Sequence, residues 1–104
     1  MSALPPEIFR RWIHSHEEDT EEFLVYRPSG YSFPPARGRQ AFEIKKDGTF
    51  IRYDIAAAEG ARKRSGCWKA EARDRIRVEF RGEEPRADSL GIHSCEKGLL
   101  KVRR

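Results

Sequence analysis

The feature that most restricts the fold is a series of apolar runs that alternate with period two and are separated by short turn sequences. Asp47-Gly48 lies between two such runs and predicts a two-residue type I′ hairpin turn. Residues directly opposite each other in a hairpin share a face of the sheet. The predicted register therefore pairs apolar residues on one face and opposite charges on the other: Ile44 with Ile51, Phe42 with Tyr53, and Glu43 with Arg52.

Two further turn sequences pass the same test. Three-residue turns at Arg73-Asp74-Arg75 and at Glu96-Lys97-Gly98 bring inward-facing positions together, and Gly98 can take the left-handed position of a bulged turn. The second turn would leave His93 and Cys95 on the outer surface. The predicted inward pairs are Ala72 with Ile76, Ala70 with Val78, Trp68 with Phe80, Ile92 with Val102 and Ser94 with Leu100.

With the linking segments included, the sequence predicts eight strands, near residues 11–16, 23–27, 39–46, 49–56, 63–72, 76–81, 88–95 and 99–103. Sequential antiparallel strands joined by short turns favour an up-and-down arrangement, and eight strands can close such a sheet. Leu4 to Phe9, with its paired prolines, is predicted to form a short N-terminal plug. We therefore expect an all-β, eight-stranded antiparallel barrel, with residues 1–104 as a single domain.

Composition limits the partners and the compartment. The net charge of +4 is small, and basic residues alternate with acidic ones along almost every segment, so we expect no nucleic-acid partner. The chain has neither an apolar run near the ~20 residues that cross a bilayer nor the features of a secretory signal at its start, so we expect no membrane partner and a cytoplasmic location. Cys67 and Cys95 lack the spacing of a zinc module and indicate reduced thiols. A monomer or a weak homodimer is expected.

The densest group of ionisable side chains extends from Arg11 to Glu22. Period-two spacing on the first predicted strand would place Trp12, His14 and His16 on one face. Two inward imidazoles need partners, which a metal ion or hydrogen bonds would provide. We expect hydrogen bonds and neither a metal nor a cofactor. The acidic turn, which we define as Glu17 to Glu22, is expected to be exposed.

The following segment, residues 28–38, contains three prolines and two glycines and predicts a long ordered loop. Tyr31 and Phe33 on this loop are available to cover an opening of the barrel. Arg37 and Arg39, together with Arg27, would either hold an anionic head group through bidentate contacts or form salt bridges with the acidic turn.

Four motifs carry a family resemblance: Trp12 to Thr20, with the pattern Trp-x-His-Ser-His-Glu-Glu-Asp-Thr, then Phe33 to Arg39, Asp47-Gly48 and Gly66-Cys67-Trp68. Through them, nearly the whole chain resembles the lipocalin-like, or calycin, group, and more narrowly a set of small bacterial proteins with this pattern. The resemblance implies a barrel with one plugged end and one open end that admits a small apolar or amphipathic molecule.

These observations favour a binding protein that holds a small amphipathic ligand. The alternatives are a structural or interaction module, for which scattered apolar residues such as Phe50 and Leu99 would not form a docking patch, and a metal-binding protein or enzyme that uses His14 and His16. The familiar enzyme motifs are missing from the sequence, so we assign no catalytic residue. The candidate ligand-binding residues are Trp12, His14, His16, Tyr31, Phe33, Arg37, Arg39, Tyr53 and Trp68.

Overall fold

The computed structural model describes residues 4–35, 38–54, 62–72, 74–80 and 86–103. Eight strands form one closed antiparallel sheet, which confirms the predicted all-β barrel. The strands are β1 (Arg11–His14), β2 (Phe23–Pro28), β3 (Ala41–Ile44), β4 (Thr49–Asp54), β5 (Arg62–Ala72), β6 (Arg75–Phe80), β7 (Arg86–Glu96) and β8 (Leu99–Arg103). Two 3-10 helices, Pro6–Ile8 and His16–Glu18, also lie within the described residues.

Neighbouring strands are sequential except around the first hairpin. β1 lies beside β3, and β2 lies beside β8, so the order around the barrel is β1-β2-β8-β7-β6-β5-β4-β3. β2 and β3 are both antiparallel to β1 and therefore run in the same direction. The 12 residues that join them, 29–40, are enough for a connection along the height of the barrel, because an extended chain covers about 3.3 Å per residue. We call the described parts of this connection, residues 29–35 and 38–40, the strap.

The two ends of the barrel differ. The upper end carries the acidic turn between β1 and β2, and the lower end carries the plug. In the plug, Ile8 is completely buried and Phe9 packs against the core. The indole N–H of the buried Trp12 donates a hydrogen bond to the carbonyl oxygen of Ile8 at 3.0 Å. The predicted plug is therefore confirmed. In the part of the chain that the structure describes, no helix is long and apolar enough to cross a membrane.

Within the described residues, the buried core fills the lower and middle lumen with side chains from the plug and from every strand except β5, and the partly buried Trp68 of β5 packs against it. A series of aromatic contacts crosses it from β2 to β6. Ring centroids are 4.7 Å apart for Tyr26 and Phe42, 5.4 Å for Phe42 and Phe50, and 5.9 Å for Phe50 and Phe80. Because aromatic side chains bury large areas, this series contributes much of the hydrophobic stabilisation of the barrel.

The predicted register of the β3–β4 hairpin is wrong by one residue. Ile44 pairs with Phe50 instead of Ile51, and the loop consists of the three residues 46–48. The N–H of Gly48 donates to the carbonyl of Lys45 at 3.2 Å, and Gly48 has a φ of 96°. A turn followed by a left-handed glycine is the usual form of a three-residue hairpin loop.

This difference exchanges the two faces of β4, because side chains alternate along a strand. Phe50, expected to be a single apolar residue outside, is buried in the core, and Arg52 pairs with the inward-facing Phe42. Ile51 and Tyr53, which were expected inside, lie in register with outward-facing residues of β3. The slip moves an arginine into the lumen and a tyrosine out of it.

The β5–β6 register differs from the predicted one by two residues. Trp68 pairs with Val78, and Ala70 pairs with Ile76, with an irregularity before Ala72. The predicted pairs are therefore wrong. The faces are nevertheless correct, because a shift of two residues preserves the alternation of side chains.

In the β7–β8 hairpin, the predicted pairing of Ile92 with Val102 is confirmed. The predicted pairing of Ser94 with Leu100 is wrong, because Cys95 occupies that position. A bulge between residues 92 and 94 absorbs the shift, which carries the Cys95 side chain to the inner face.

A two-residue turn causes this difference. Lys97 and Gly98 have φ values of 53° and 71°, and two left-handed residues are what a type I′ turn requires. Cys95 is consequently buried, where desolvation raises the pKa of its thiol to about 11. The surface position predicted for Cys95 is wrong, whereas His93 is exposed as expected. Both cysteines are free thiols, and Cys67 is exposed.

Candidate functional site

Arginines hold two carboxylates of the acidic turn. Glu18 accepts two hydrogen bonds from Arg27, at 2.9 and 2.8 Å, and one from the hydroxyl of the buried Ser15 at 2.8 Å. Glu17 accepts two hydrogen bonds from Arg39, at 2.8 and 2.6 Å. These contacts lower the pKa of Glu17 to about 2, and the contact with Arg27 lowers the pKa of Glu18 against the effect of burial. The salt bridges that the sequence left as one of two roles for these arginines are present.

The first strand ends at His14, so the prediction that His14 and His16 share a strand face is wrong. Ser15 is buried, and its N–H donates to the carbonyl of Val25 at 2.8 Å. The chain then turns into the second 3-10 helix, which begins at His16. His14 keeps the inward direction of Trp12, two residues before it, whereas His16 is exposed to solvent.

Asp19 fixes the imidazole of His14 at the upper end of the lumen. The Nε2 atom of His14 lies 2.8 Å from Oδ2 of Asp19, whose Oδ1 accepts the N–H of Val25 at 2.8 Å. With the proton on Nε2, the Nδ1 atom carries a lone pair. Within the described residues, Nδ1 makes no hydrogen bond.

Tyr26 connects this pair electrostatically with the opposite side of the lumen. Its ring lies against the imidazole of His14, with centroids 5.2 Å apart. Burial raises the pKa of Tyr26, and the charges of Arg52 and Asp19 act on it in opposite directions, with Arg52 lowering the pKa and Asp19 raising it. The phenol is therefore neutral at physiological pH and lies close to both charges.

A polar layer covers the aromatic core on that opposite side. Arg52 on β4 pairs with Asp88 on β7, at 3.4 Å between Nη1 and Oδ2, so the ion pair crosses the lumen. The guanidinium carbons of Arg52 and Arg64 lie 5.6 and 5.1 Å from the centroid of Phe80. The side chains of Arg52 and Asp88 are about one-third and one-quarter exposed. We call the inward-facing residues at this end the mouth: His14, Tyr26, Arg52, Arg64, Phe80 and Asp88.

Of the predicted ligand-binding residues that the structure describes, His14 alone lies in the mouth, and three others support different parts of the barrel. Trp12 is completely buried against the plug, and the indole N–H of Trp68 donates to the carbonyl of Lys45 at the lower end, at 2.7 Å. Tyr53 is on the outer face, where Arg11 lies 4.3 Å from its ring centroid and donates to its hydroxyl at 2.9 Å. These three residues stabilise the barrel at its lower end and on its outer face, and they do not line the mouth.

The aromatic residues of the strap stack on the two arginines that hold the acidic turn. Arg27 lies 4.7 Å from the ring of Tyr31, and Arg39 lies 4.8 Å from the ring of Phe33. Arg27 follows the inward-facing Tyr26 and is in register with Ile13, so this stack is on the outer wall. The predicted residue Arg37 lies outside the described residues.

The histidines form no metal centre with other described residues. The rings of His14 and His16 have centroids 6.2 Å apart, and His16 approaches Glu17 at 3.6 Å. Among the residues that the structure describes, no three His, Cys, Asp or Glu side chains form a group that would hold a metal ion.

Sequence reasoning did not select Asp19, Tyr26, Arg52, Arg64 or Asp88 as site residues. One signal for Arg52 was available in the sequence. The predicted two-residue turn left Phe50 exposed, whereas a three-residue turn would have buried Phe50 and placed Arg52, two residues later, on the same inner face. The same reasoning assigns Arg64, since it is two residues from Gly66 and shares its face.

Comparison of the chain with protein-family models, curated proteins and solved structures gave no match. What the structure supports of the lipocalin-like resemblance is the closed, eight-stranded antiparallel barrel.

Proposed function

We propose that the protein binds a small amphipathic molecule with an anionic head group at the mouth of the barrel. One observation carries this proposal. Arg52 and Arg64 face into the lumen above the ring of Phe80, and the aromatic core continues below them. Cationic groups above an aromatic core match a ligand whose head is charged and whose body is apolar.

The chemistry of the guanidinium group supports an anionic head. Its planar array of donors binds carboxylate, sulfonate or phosphate oxygens in pairs, and it stacks on aromatic faces while doing so. Partial burial strengthens such contacts, because water competes less well for the anion. The apolar part of the ligand would lie along Phe80 and the partly buried Leu24, which packs on the core.

The ion pair of Arg52 supports competition by an anionic head group. Its Nη1 atom lies 3.4 Å from Oδ2 of Asp88, which is long for a charge-assisted hydrogen bond, so an anionic head group would compete with Asp88 for Arg52. Asp88 therefore acts as an internal counterion that a ligand displaces.

A titration by nuclear magnetic resonance tests the proposal. Octanesulfonate added at pH 7 should shift backbone amides at the upper ends of β4, β5 and β6, and octanol, which has no charge, should bind at least tenfold more weakly. Arg52→Gln should weaken octanesulfonate binding by about tenfold or more, since hydrogen bonds to charged groups contribute about 1.5–3 kcal/mol.

Arg77→Gln is the matched control, because Arg77 is an exposed residue of the outer face that pairs with Glu79 at 3.1 Å. This variant should bind octanesulfonate like the unmodified protein. Equal losses in the two variants would show that net charge alone attracts the probe. Shifts spread over the outer wall would also contradict the proposal.

The structure offers no specific support for an interaction module. Tyr31, at 37% exposure, is the one large hydrophobic residue that is exposed within the described parts of the chain. A docking face needs a contiguous apolar patch, which a single tyrosine stacked on an arginine does not form.

A further inference from the structure

We propose that His14 couples ligand binding at the mouth to the uptake of one proton. This inference rests on the proposed function and identifies the ligand class further, as an amphipathic anion that is bound together with a proton. In the step, the lone pair on Nδ1 of His14 takes a proton from a hydronium ion of the solvent, so an N–H bond forms as an O–H bond breaks and water is released. The imidazole becomes an imidazolium that pairs with the bound anion.

The geometry holds His14 ready for this step. Asp19 is fixed by the N–H of Val25 and in turn fixes Nε2, so the ring cannot turn away without losing a 2.8 Å contact. Nδ1 is on the side of the ring away from Asp19. A carboxylate on one imidazole nitrogen stabilises the positive charge that forms when the other nitrogen is protonated.

The surrounding charges set the direction of the coupling. Imidazole is the side chain whose charge changes between about pH 5 and 8, and the mouth also contains the cations Arg52 and Arg64. An anion that enters the mouth offsets the cations and adds an attractive charge, so its binding promotes protonation. Asp19 contacts Nε2, His16 and Tyr26 lie beside the ring, Arg39 donates to the carbonyl of His14, and the charge of Arg52 acts on Tyr26.

Thermodynamic linkage makes the effect reciprocal. If the anion promotes protonation, then lowering the pH must strengthen binding by the same factor. We expect the affinity for octanesulfonate to rise about tenfold between pH 8 and pH 5, which lies within the 5–150-fold range usual for coupled sites. One titrating group limits the uptake to one proton for each ligand bound.

Titration calorimetry in two buffers with different ionisation enthalpies measures this uptake directly. Octanesulfonate is the probe because its head group stays anionic across the range, so any proton taken up goes to the protein. The unmodified protein should take up about half a proton per ligand near pH 7, which is the maximum for one group with a tenfold coupling, and His14→Gln should still bind but take up almost none. His16→Gln, which removes an exposed histidine, should behave like the unmodified protein.

The possible results test the assignment of His14, the proton coupling and the proposed function separately. Uptake lost in His16→Gln but kept in His14→Gln would overturn the assignment of His14. Binding without proton uptake at any pH would refute the coupling and leave the proposed function intact, whereas no binding at any pH would refute the proposed function itself.

A measurement on the unmodified protein avoids dependence on variant stability. The nitrogen-15 shifts of the His14 ring should move towards imidazolium values when octanesulfonate is added at pH 7. Unchanged ring shifts at saturation would overturn the inference.

Discussion

Gly66 on β5 lies where β6 leaves no space for a side chain, so Gly66→Ala tests the barrel register. A Cβ atom built at this position would lie 2.4 Å from the carbonyl oxygen of Glu79 and 2.9 Å from Cδ1 of Phe80. The carbonyl belongs to the backbone between paired strands and cannot rotate away. Because Gly66 pairs with Phe80, the added methyl group would force β5 and β6 apart beside the aromatic core.

Two opposing effects set the magnitude. Overpacking in a well-packed interior costs about 1–3 kcal/mol. Replacing glycine by alanine also restricts the unfolded chain, which returns about 0.4–1 kcal/mol. We therefore expect Gly66→Ala to lower the free energy of unfolding by about 1–2 kcal/mol. For a domain of this size, that corresponds to a fall in Tm of roughly 5–10 °C.

Urea denaturation and thermal melting, followed by circular dichroism, would measure the change. Gly30→Ala is the control, because a Cβ at Gly30 meets no atom within 4 Å. The control should unfold at the same temperature as the unmodified protein or slightly above it. If Gly66→Ala were equally stable, Gly66 could not pair with Phe80, and the placement of Arg64 in the mouth would also be wrong.

Three further predictions concern other parts of the barrel. Because hydrogen bonds from Arg39 lower the pKa of Glu17 from 4.5 to about 2, this pair stabilises the fold above about pH 4.5 and stops doing so as the pH falls through about 2; the Tm difference between Glu17→Gln and the unmodified protein should shrink over that interval, and a constant difference would contradict the contact. A thiol reagent at pH 8 should modify one cysteine per native chain, the exposed Cys67, and reach Cys95 only after denaturation, since burial raises the pKa of Cys95 to about 11; rapid modification of two thiols in the native protein would show that Cys95 is not buried. Trp12→Phe should cost about 2 kcal/mol in urea denaturation, because it removes the indole hydrogen bond to the plug and leaves unfilled space where the larger ring was buried, although the carbonyl of Ile8 keeps its bond from the N–H of Arg10; a loss below about 0.5 kcal/mol would mean that the plug is not held in this way.

The barrel itself could be predicted from the sequence because its signals are local. Period-two alternation reports which residues of a strand share a face, and glycine-containing turns report where the chain reverses. The paired prolines before Ile8 similarly indicated a short plug rather than a strand. These properties depend on residues a few positions apart, and the structure has them close to where the sequence indicated.

Register could not be determined from turn sequences alone. Asp47-Gly48 and Lys97-Gly98 each offer a glycine for a left-handed conformation, yet the first closes a three-residue loop and the second a two-residue loop. A glycine in the turn sequence is compatible with either loop length. What distinguishes them is whether Phe50 finds apolar neighbours, and those neighbours, Phe42 and Phe80, come from both sides of its strand.

The mouth depends even more on tertiary structure. The ion pair between Arg52 and Asp88 joins residues 36 positions apart and exists only because β4 and β7 face each other across a closed lumen. The contact between His14 and Asp19 could not be predicted from the sequence either, although the residues are only five positions apart. It forms because the strand ends at His14 and the acidic turn folds back over the upper end of the barrel. Alternation along the chain assigns residues to faces, but barrel closure decides which charged side chains on the inner face meet, since their partners lie on strands that sequence order does not make neighbours.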